Sequence, residues 1–193
     1  MNKLDGKHLG VAITGSFCTF DLALECIQEF IDSGATVTAI LSNAAGGMDT
    51  KFGKASELKA KLRQITNRDI IETIPNTEPI GPGKMLDALV ILPCTGNTLA
   101  KIAVGIADTP ASFAAKSHLR NGRPVIIGVS SNDALAAGAK NIGHLLNVKH
   151  VYFVPFGQDN CKEKPRSMVF RREYVLDAVC EGLKERQIQP ILV

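Results

Sequence analysis

The stretch ITGSFCTF, residues 13–20, interrupts an apolar run with a Gly-Ser pair and then continues with a helical pattern. Before it, HLGVAIT (8–14) has the composition of a buried strand. After it, FDLALECIQEFI (20–31) places its apolar residues three and four positions apart, which is typical of an amphipathic helix. The stretch therefore predicts a strand that passes into a helix through Gly15 and Ser16.

The same alternation continues along the rest of the chain. Further strand-like runs span 35–42, 86–92, 123–130 and 149–156. Amphipathic, helix-like stretches span 56–65, 99–107, 112–121, 134–147 and 172–186. No two strand-like runs follow each other closely enough for a hairpin, which favours parallel pairing. We therefore expect an α/β fold with a single doubly wound, Rossmann-like parallel sheet and helices on both faces, and one domain over residues 1–193.

Composition and charge exclude several classes of protein. The 193 residues carry 22 basic and 19 acidic side chains, a net charge of +3, and no Trp, which argues against a nucleic-acid partner. The five cysteines show neither CxxC nor Cys/His ligand spacing, so we expect reduced thiols and no metal site. The start MNKLDGKHLG has no apolar segment of a signal peptide, and no apolar run approaches the ~20 residues that span a bilayer. The sequence thus predicts a cytoplasmic protein without a membrane partner.

Ligands of doubly wound sheets bind beyond the carboxyl ends of the strands, so the polar residues there are the candidates. Gly15 and Ser16 would offer backbone N–H groups and a hydroxyl to a phosphate, although a plain turn capped by Ser16 or Thr19 explains them equally well. Neither GxGxxG nor GxxxxGK[ST] occurs, and the second strand ends at Ser42 and not at an acid suited to a ribose diol. This favours a mononucleotide phosphate over NAD, with simple turn chemistry as the alternative for Ser42.

PCTGNTLAKIA (93–103) holds the densest group of polar residues at a helix start. Its four polar or flexible residues are Thr95, Gly96, Asn97 and Thr98. Capping a helix requires only one of them, so the surplus suits a polar ring system such as isoalloxazine, with chance composition as the alternative.

Two more segments follow strand-like runs. GVSSNDAL (128–135) ends a strand in Ser130, Ser131 and Asn132, where Asn132 or Asp133 is also a plausible helix cap. The long polar loop 157–168 carries cations that suit carboxylates, or it is simply a solvated charged loop. These cations are Lys162, Lys164 and Arg166. No Ser/His/Asp or Cys/His grouping occurs, so no catalytic acid or base is identified.

PCTGNTLAKIAVGIAD (93–108), together with ITGS (13–16), resembles the flavoprotein family of FMN-dependent cysteine decarboxylases and flavin prenyltransferases. The resemblance implies FMN as the cofactor, bound between subunits of a homo-oligomer. It places Gly15, Ser16 and Phe17 at the phosphate, Ser42 and Ser130 close to it, and Thr95, Gly96, Asn97 and Thr98 along the flavin.

The chain departs from both branches of that family. NTEPIGPGKMLDALVIL (76–92) lacks the decarboxylase His, and GVSSNDALAAG (128–138) lacks the Met-Trp motif. Ser130 and Ser131 stand where the prenyltransferases have Arg-Glu. Neither chemistry transfers directly, and decarboxylation of a cysteine-containing substrate remains an alternative.

A closer resemblance covers nearly the whole chain. Residues 13–20, 119–135, 151–169 and 187–193 are similar to the family of dipicolinate synthase B subunits. The resemblance implies an A subunit that binds NAD(P), oxidation of dihydrodipicolinate to dipicolinic acid, and the mother cell of a sporulating bacterium. We place this small dicarboxylate substrate near Ser131 and Asn132, with Lys162, Lys164 and Arg166 as its carboxylate-binding residues. A non-catalytic protein that stabilises the A subunit is the remaining alternative.

Overall fold

A computed structural model describes residues 2–193, whose strands form one seven-stranded sheet. The strands are β1 (His8–Ile13), β2 (Thr36–Leu41), β3 (Ala88–Cys94), β4 (Val125–Ser131), β5 (Val151–Phe153), β6 (Phe156–Gly157) and β7 (Met168–Phe170). The α-helices are α1 (Phe20–Asp32), α2 (Asn43–Gly47), α3 (Ala55–Thr66), α4 (Ile74–Thr77), α5 (Gly96–Ala103), α6 (Pro110–Arg120), α7 (Ala139–Leu145) and α8 (Val175–Gly182).

The first five strands run parallel, as the sequence predicts. β1 lies between β2 and β3, and β4 pairs with β3 on one side and β5 on the other. The end of β4 also pairs antiparallel with β7, which pairs antiparallel with β6. The predicted α/β class with a mostly parallel sheet is confirmed, whereas the expectation of parallel strands throughout is wrong for β6 and β7.

Apolar side chains cover both faces of the sheet. On one face β1 and β3 pack against α1, α3 and α8, through side chains such as Val11, Phe30 and Val179. On the other face the sheet packs against α5, α6 and α7, through side chains such as Ile91 and Ile127. Burial on both faces explains why the strands read as continuous apolar runs. The polar strand ends are left at one edge, where the candidate site lies.

Other sequence expectations concern thiols, metals and membranes. All five cysteines are free thiols. Across residues 2–193, no three His, Cys, Asp or Glu side chains are grouped as metal ligands. In the same part of the chain, no helix has both the length and the apolar character needed to cross a membrane.

Candidate functional site

A cleft lies where β1, β3 and β4 end. Its volume is about 320 Å³, at the lower end of the range of roughly 300–1,000 Å³ typical of small-molecule sites. The order of the strands reverses at β1, because the chain passes from β1 to β2 on one side and then to β3 on the other. Doubly wound folds bind their ligands at such a switch point.

Nine of the fourteen residues singled out in the sequence line this cleft. They are Gly15, Ser16, Phe17, Thr95, Gly96, Ser130, Ser131, Asn132 and Lys164. They come from four separate segments of the chain, which the parallel sheet and the loop after β6 bring to one place.

The other five lie outside the lining. Ser42 is buried, and its Oγ accepts a hydrogen bond from the Ala45 backbone N–H at 3.2 Å, which caps α2. The structure therefore favours the turn alternative for Ser42. Thr98 is buried in the first turn of α5, and Asn97, Lys162 and Arg166 are exposed and do not line the cleft.

Five lining residues were not found from the sequence. They are Cys18, Phe52, Asp159, Ser167 and Val169. Cys18 belongs to the same turn as Ser16, and Asp159 and Ser167 lie in the loop singled out for its cations. The sequence therefore identified both segments as candidates, although not these residues. Phe52 lies in the Gly-rich segment that follows the second strand, where the strand-end rule places ligand-binding residues, but its apolar side chain was not among the polar candidates.

Hydroxyl groups tie the three strand ends together. Ser16 Oγ lies 2.7 Å from Ser130 Oγ, and the Thr14 hydroxyl donates to the Pro93 carbonyl at 2.8 Å. The Thr95 backbone N–H donates to Thr14 Oγ1 at 2.9 Å. Neither Ser16 nor Thr19 caps the helical turn that follows it, so the plain-cap alternative for the Gly-Ser turn is not what the structure shows.

Of the four polar or flexible residues at the start of α5, only Thr95 caps the helix. Thr95 Oγ1 accepts a hydrogen bond from the Thr98 backbone N–H at 3.3 Å. Gly96 follows, and a Cβ added there would lie 2.6 Å from Asp133 Oδ1 and 2.7 Å from Ser131 Oγ. The missing side chain therefore lets the end of β4 lie directly against the start of α5.

Among the described residues, the charged side chains of the cleft lining are Asp159 and Lys164, which form an ion pair. Lys164 Nζ lies 3.5 Å from Asp159 Oδ2. Burial opposes ionisation of Asp159, but the Ser167 hydroxyl, the residue's own backbone N–H and the Lys164 ammonium outweigh it and lower its pKa. The Asp159 carboxylate therefore stays ionised at neutral pH, and an anionic ligand would compete with it for Lys164.

Two aromatic side chains border the cleft. Phe17 packs against Phe20 with ring centroids 5.3 Å apart. Phe52 is 57% exposed on a tight turn in which Thr50 and Gly53 exchange two backbone hydrogen bonds. A partly buried and an exposed aromatic ring, beside hydroxyls and glycine backbone, fit a planar ring that carries a phosphate.

The chain is similar over its length to known proteins. Residues 1–181 match the sequence profile of the family described as Flavoprotein. The chain is 38% identical over 193 residues to the dipicolinate synthase B subunit of Bacillus subtilis (strain 168), covering 100% of this chain and 96% of that protein.

Solved structures show the same fold. The crystal structure of the dipicolinate synthase B subunit from Bacillus halodurans superposes with a TM-score of 0.91 and 42% identity, covering 100% of this chain and 98% of that one. Burkholderia xenovorans DmrB in complex with FMN, described as a cubic protein cage for redox transfer, superposes with a TM-score of 0.64 and 22% identity, over 76% of this chain and 87% of that one. At this lower identity the likeness concerns the fold alone.

Proposed function

The chain belongs to the flavoprotein family as a homologue of dipicolinate synthase B subunits, and from this premise we propose that it works as one. In this proposal it acts with a nicotinamide-binding A subunit to oxidise dihydrodipicolinate to dipicolinic acid during sporulation. The observation that carries the proposal is the similarity over the full length of the chain, which includes every segment that lines the cleft.

The cleft residues fit FMN as the cofactor. Gly15, Ser16 and Ser130 would hold the phosphate, because they offer hydroxyls and backbone unshielded by a Cβ at one strand edge. Thr95 and Gly96 would border the ring system. When bound, a flavin supplies two-electron redox chemistry. NAD(P) belongs to the A subunit in this proposal.

Lys164 is the residue we assign to a substrate carboxylate. Lys164 lines the cleft, whereas Lys162 and Arg166 in the same loop do not. Asp159 holds Lys164 in place until the dicarboxylate arrives, and Asn132 and Ser131 lie on the neighbouring strand end. Charge-assisted contacts of this kind position an anionic substrate.

We also propose that the chain assembles as a homo-oligomer in the cytoplasm of the mother cell. Val104 and Ile106, which follow α5, are 66% and 47% exposed. Exposed apolar side chains of this size suit burial against another copy of the chain. Sedimentation equilibrium of the purified chain tests the assembly, and a monomer at all concentrations would contradict it.

An assay of the reconstituted pair tests the function. The purified chain is mixed with the A subunit, NAD(P)⁺ and freshly prepared dihydrodipicolinate, and dipicolinate is quantified by chromatography. We expect full turnover only when both proteins are present. The double variant Ser16→Ala/Ser130→Ala should lower turnover, because it removes both hydroxyls assigned to the phosphate.

Two results would contradict the proposal. Equal turnover by the isolated A subunit would leave this chain no part in the reaction. Full turnover with the double variant, when the isolated A subunit is inactive, would favour a non-catalytic protein that stabilises its partner.

A further inference from the structure

We propose that Ser131 and Asp133 act together as the general base of the reaction, with Ser131 receiving a proton from the substrate and Asp133 receiving the proton of Ser131. This inference rests on the proposed function, because the oxidation of a dihydropyridine requires a proton acceptor. Ser131 lines the cleft, and the exposed Asp133, two residues further on, is hydrogen-bonded to it.

The geometry of the pair favours proton transfer. The Ser131 hydroxyl donates to Asp133 Oδ1, a charge-assisted hydrogen bond along which the proton can pass. The hydroxyl proton points at the carboxylate and the Asp133 backbone N–H donates to Ser131 Oγ at 3.5 Å, which leaves one lone pair of Ser131 Oγ available to a donor in the cleft. The backbone of Ser131 is fixed by its pairing with Met168 of β7.

The Asp133 carboxylate has no competing structural task. The sequence suggests it as a helix cap, but α7 begins only at Ala139, and its N-cap is Gly138. Within residues 2–193, the only side-chain hydrogen bond of Asp133 joins it to Ser131, and no ion pair involves it. Gly96 at the start of α5 lies against the pair, since a Cβ there would overlap both Ser131 Oγ and Asp133 Oδ1.

Other titratable groups of the cleft lining are less suited to this role. Asp159 is paired with Lys164, and these interactions lower its pKa, which makes it a weaker base. Cys18 is an exposed thiol without a neighbouring base in the lining. No histidine contributes to the lining within the described residues.

The reaction balances through this pair. Aromatisation of dihydrodipicolinate releases one hydride and one proton. The hydride equivalent, with both electrons, ends on the NAD(P)⁺ of the A subunit, which is the final oxidant whether or not a flavin carries the electrons between. The ring proton moves to Ser131 Oγ as the hydroxyl proton moves to Asp133, and the neutral carboxyl then releases its proton to water. The sum is dihydrodipicolinate and NAD(P)⁺ giving dipicolinate, NAD(P)H and H⁺.

The test uses the complex of the chain with the A subunit. General-base catalysis contributes about 10²–10⁴-fold, so we expect Asp133→Asn to lower kcat at least about 100-fold. The KM for dihydrodipicolinate and the calorimetric Kd for dipicolinate should stay within about threefold, because the carboxylate does not bind the ligand directly. Asp177→Asn is the matched control, since it removes an exposed carboxylate that pairs with Lys3 outside the cleft.

A second variant separates a base from a structural group. Asp133→Ala should be inactive and should regain part of its kcat when formate is added, because a small carboxylate can fill the vacated position. Circular dichroism melting confirms that each variant is folded.

Each result decides the inference. The base assignment is overturned if Asp133→Asn keeps the wild-type kcat, or if it affects only KM and Kd. It is also overturned if formate does not restore activity to Asp133→Ala. In each of these cases the proposed function stands. An inactive wild-type complex would overturn the proposed function, and the assignment with it.

Discussion

The hydroxyl of Ser16 lies 2.7 Å from that of Ser130, although 114 positions separate the two residues in the chain. The sequence identifies each as a polar residue at a strand end, and the rule for doubly wound sheets predicts that both face the same edge. Their contact follows only from the register of β1, β3 and β4. Ser42 shows the limit of that rule, because it also ends a strand but turns inward to cap α2.

At this scale Lys164 and Lys162 provide a matched pair. Lys164→Ala should weaken dipicolinate binding about 10- to 100-fold, because a hydrogen bond to a charged group is worth about 1.5–3 kcal/mol. Lys162→Ala removes an equal charge from the same loop but from outside the cleft lining, and should change Kd less than about twofold. Isothermal titration calorimetry of both variants checks this, and equal losses would show that only the net charge of the loop matters.

Among the elements, the long and strongly patterned ones could be predicted and the short ones could not. The strand-like run 86–92 and the helix-like run 56–65 correspond to β3 and α3 within two residues. β6 and β7 have two and three residues, which is too short for a period-two pattern to stand out. The helix expected over 134–147 forms only as α7, because residues 132–138 adopt turns stabilised by the Asp133 carbonyl.

Helix α6 carries a buried histidine whose titration we expect to change the stability of the fold. His118 is 1% exposed, and neither ring nitrogen has a hydrogen-bond partner among the described residues. Burial, with a smaller contribution from Arg123, lowers its pKa from 6.5 to about 4, against the opposing effects of the Pro124 backbone and Asp87. The unfolded chain therefore binds the proton more readily than the folded one below about pH 6.5.

The sign of this difference predicts a loss of stability in acid. At pH 5 the His118 contribution should lower the free energy of unfolding by about 2 kcal/mol relative to pH 7.5. His118→Gln removes the titrating group, so the variant should lose less stability between these pH values than the wild type. Urea unfolding at both pH values checks this, with His144→Gln on α7 as the exposed control. Equal pH dependence in the wild type and His118→Gln would contradict the prediction.

For the whole molecule, alternation of strands and helices predicts the fold class, and the rule for parallel sheets predicts which edge holds the cleft. Which side chains line the cleft is harder to predict, because Phe52, Asp159 and Ser167 lie in long loops, and the sequence does not show which loop side chains turn toward the cleft. Ser131 was placed in the site by its position at a strand end, but its pairing with Asp133 requires the turn after β4 and the absence of a side chain at Gly96.

The central claim is that the edge formed by β1, β3 and β4 binds a flavin phosphate, and a titration with FMN tests it most directly. The titration is carried out on three proteins while the flavin absorbance and fluorescence are recorded. They are the wild-type chain, the double variant Ser16→Ala/Ser130→Ala, and the control Ser56→Ala, which changes a residue of α3 outside the cleft. We predict a perturbed flavin spectrum with saturable binding for the wild type and the control, and binding at least about tenfold weaker for the double variant, which loses two hydrogen bonds of about 1 kcal/mol each. An unchanged flavin spectrum with the folded wild-type chain, both in isolation and with the A subunit, would contradict the account.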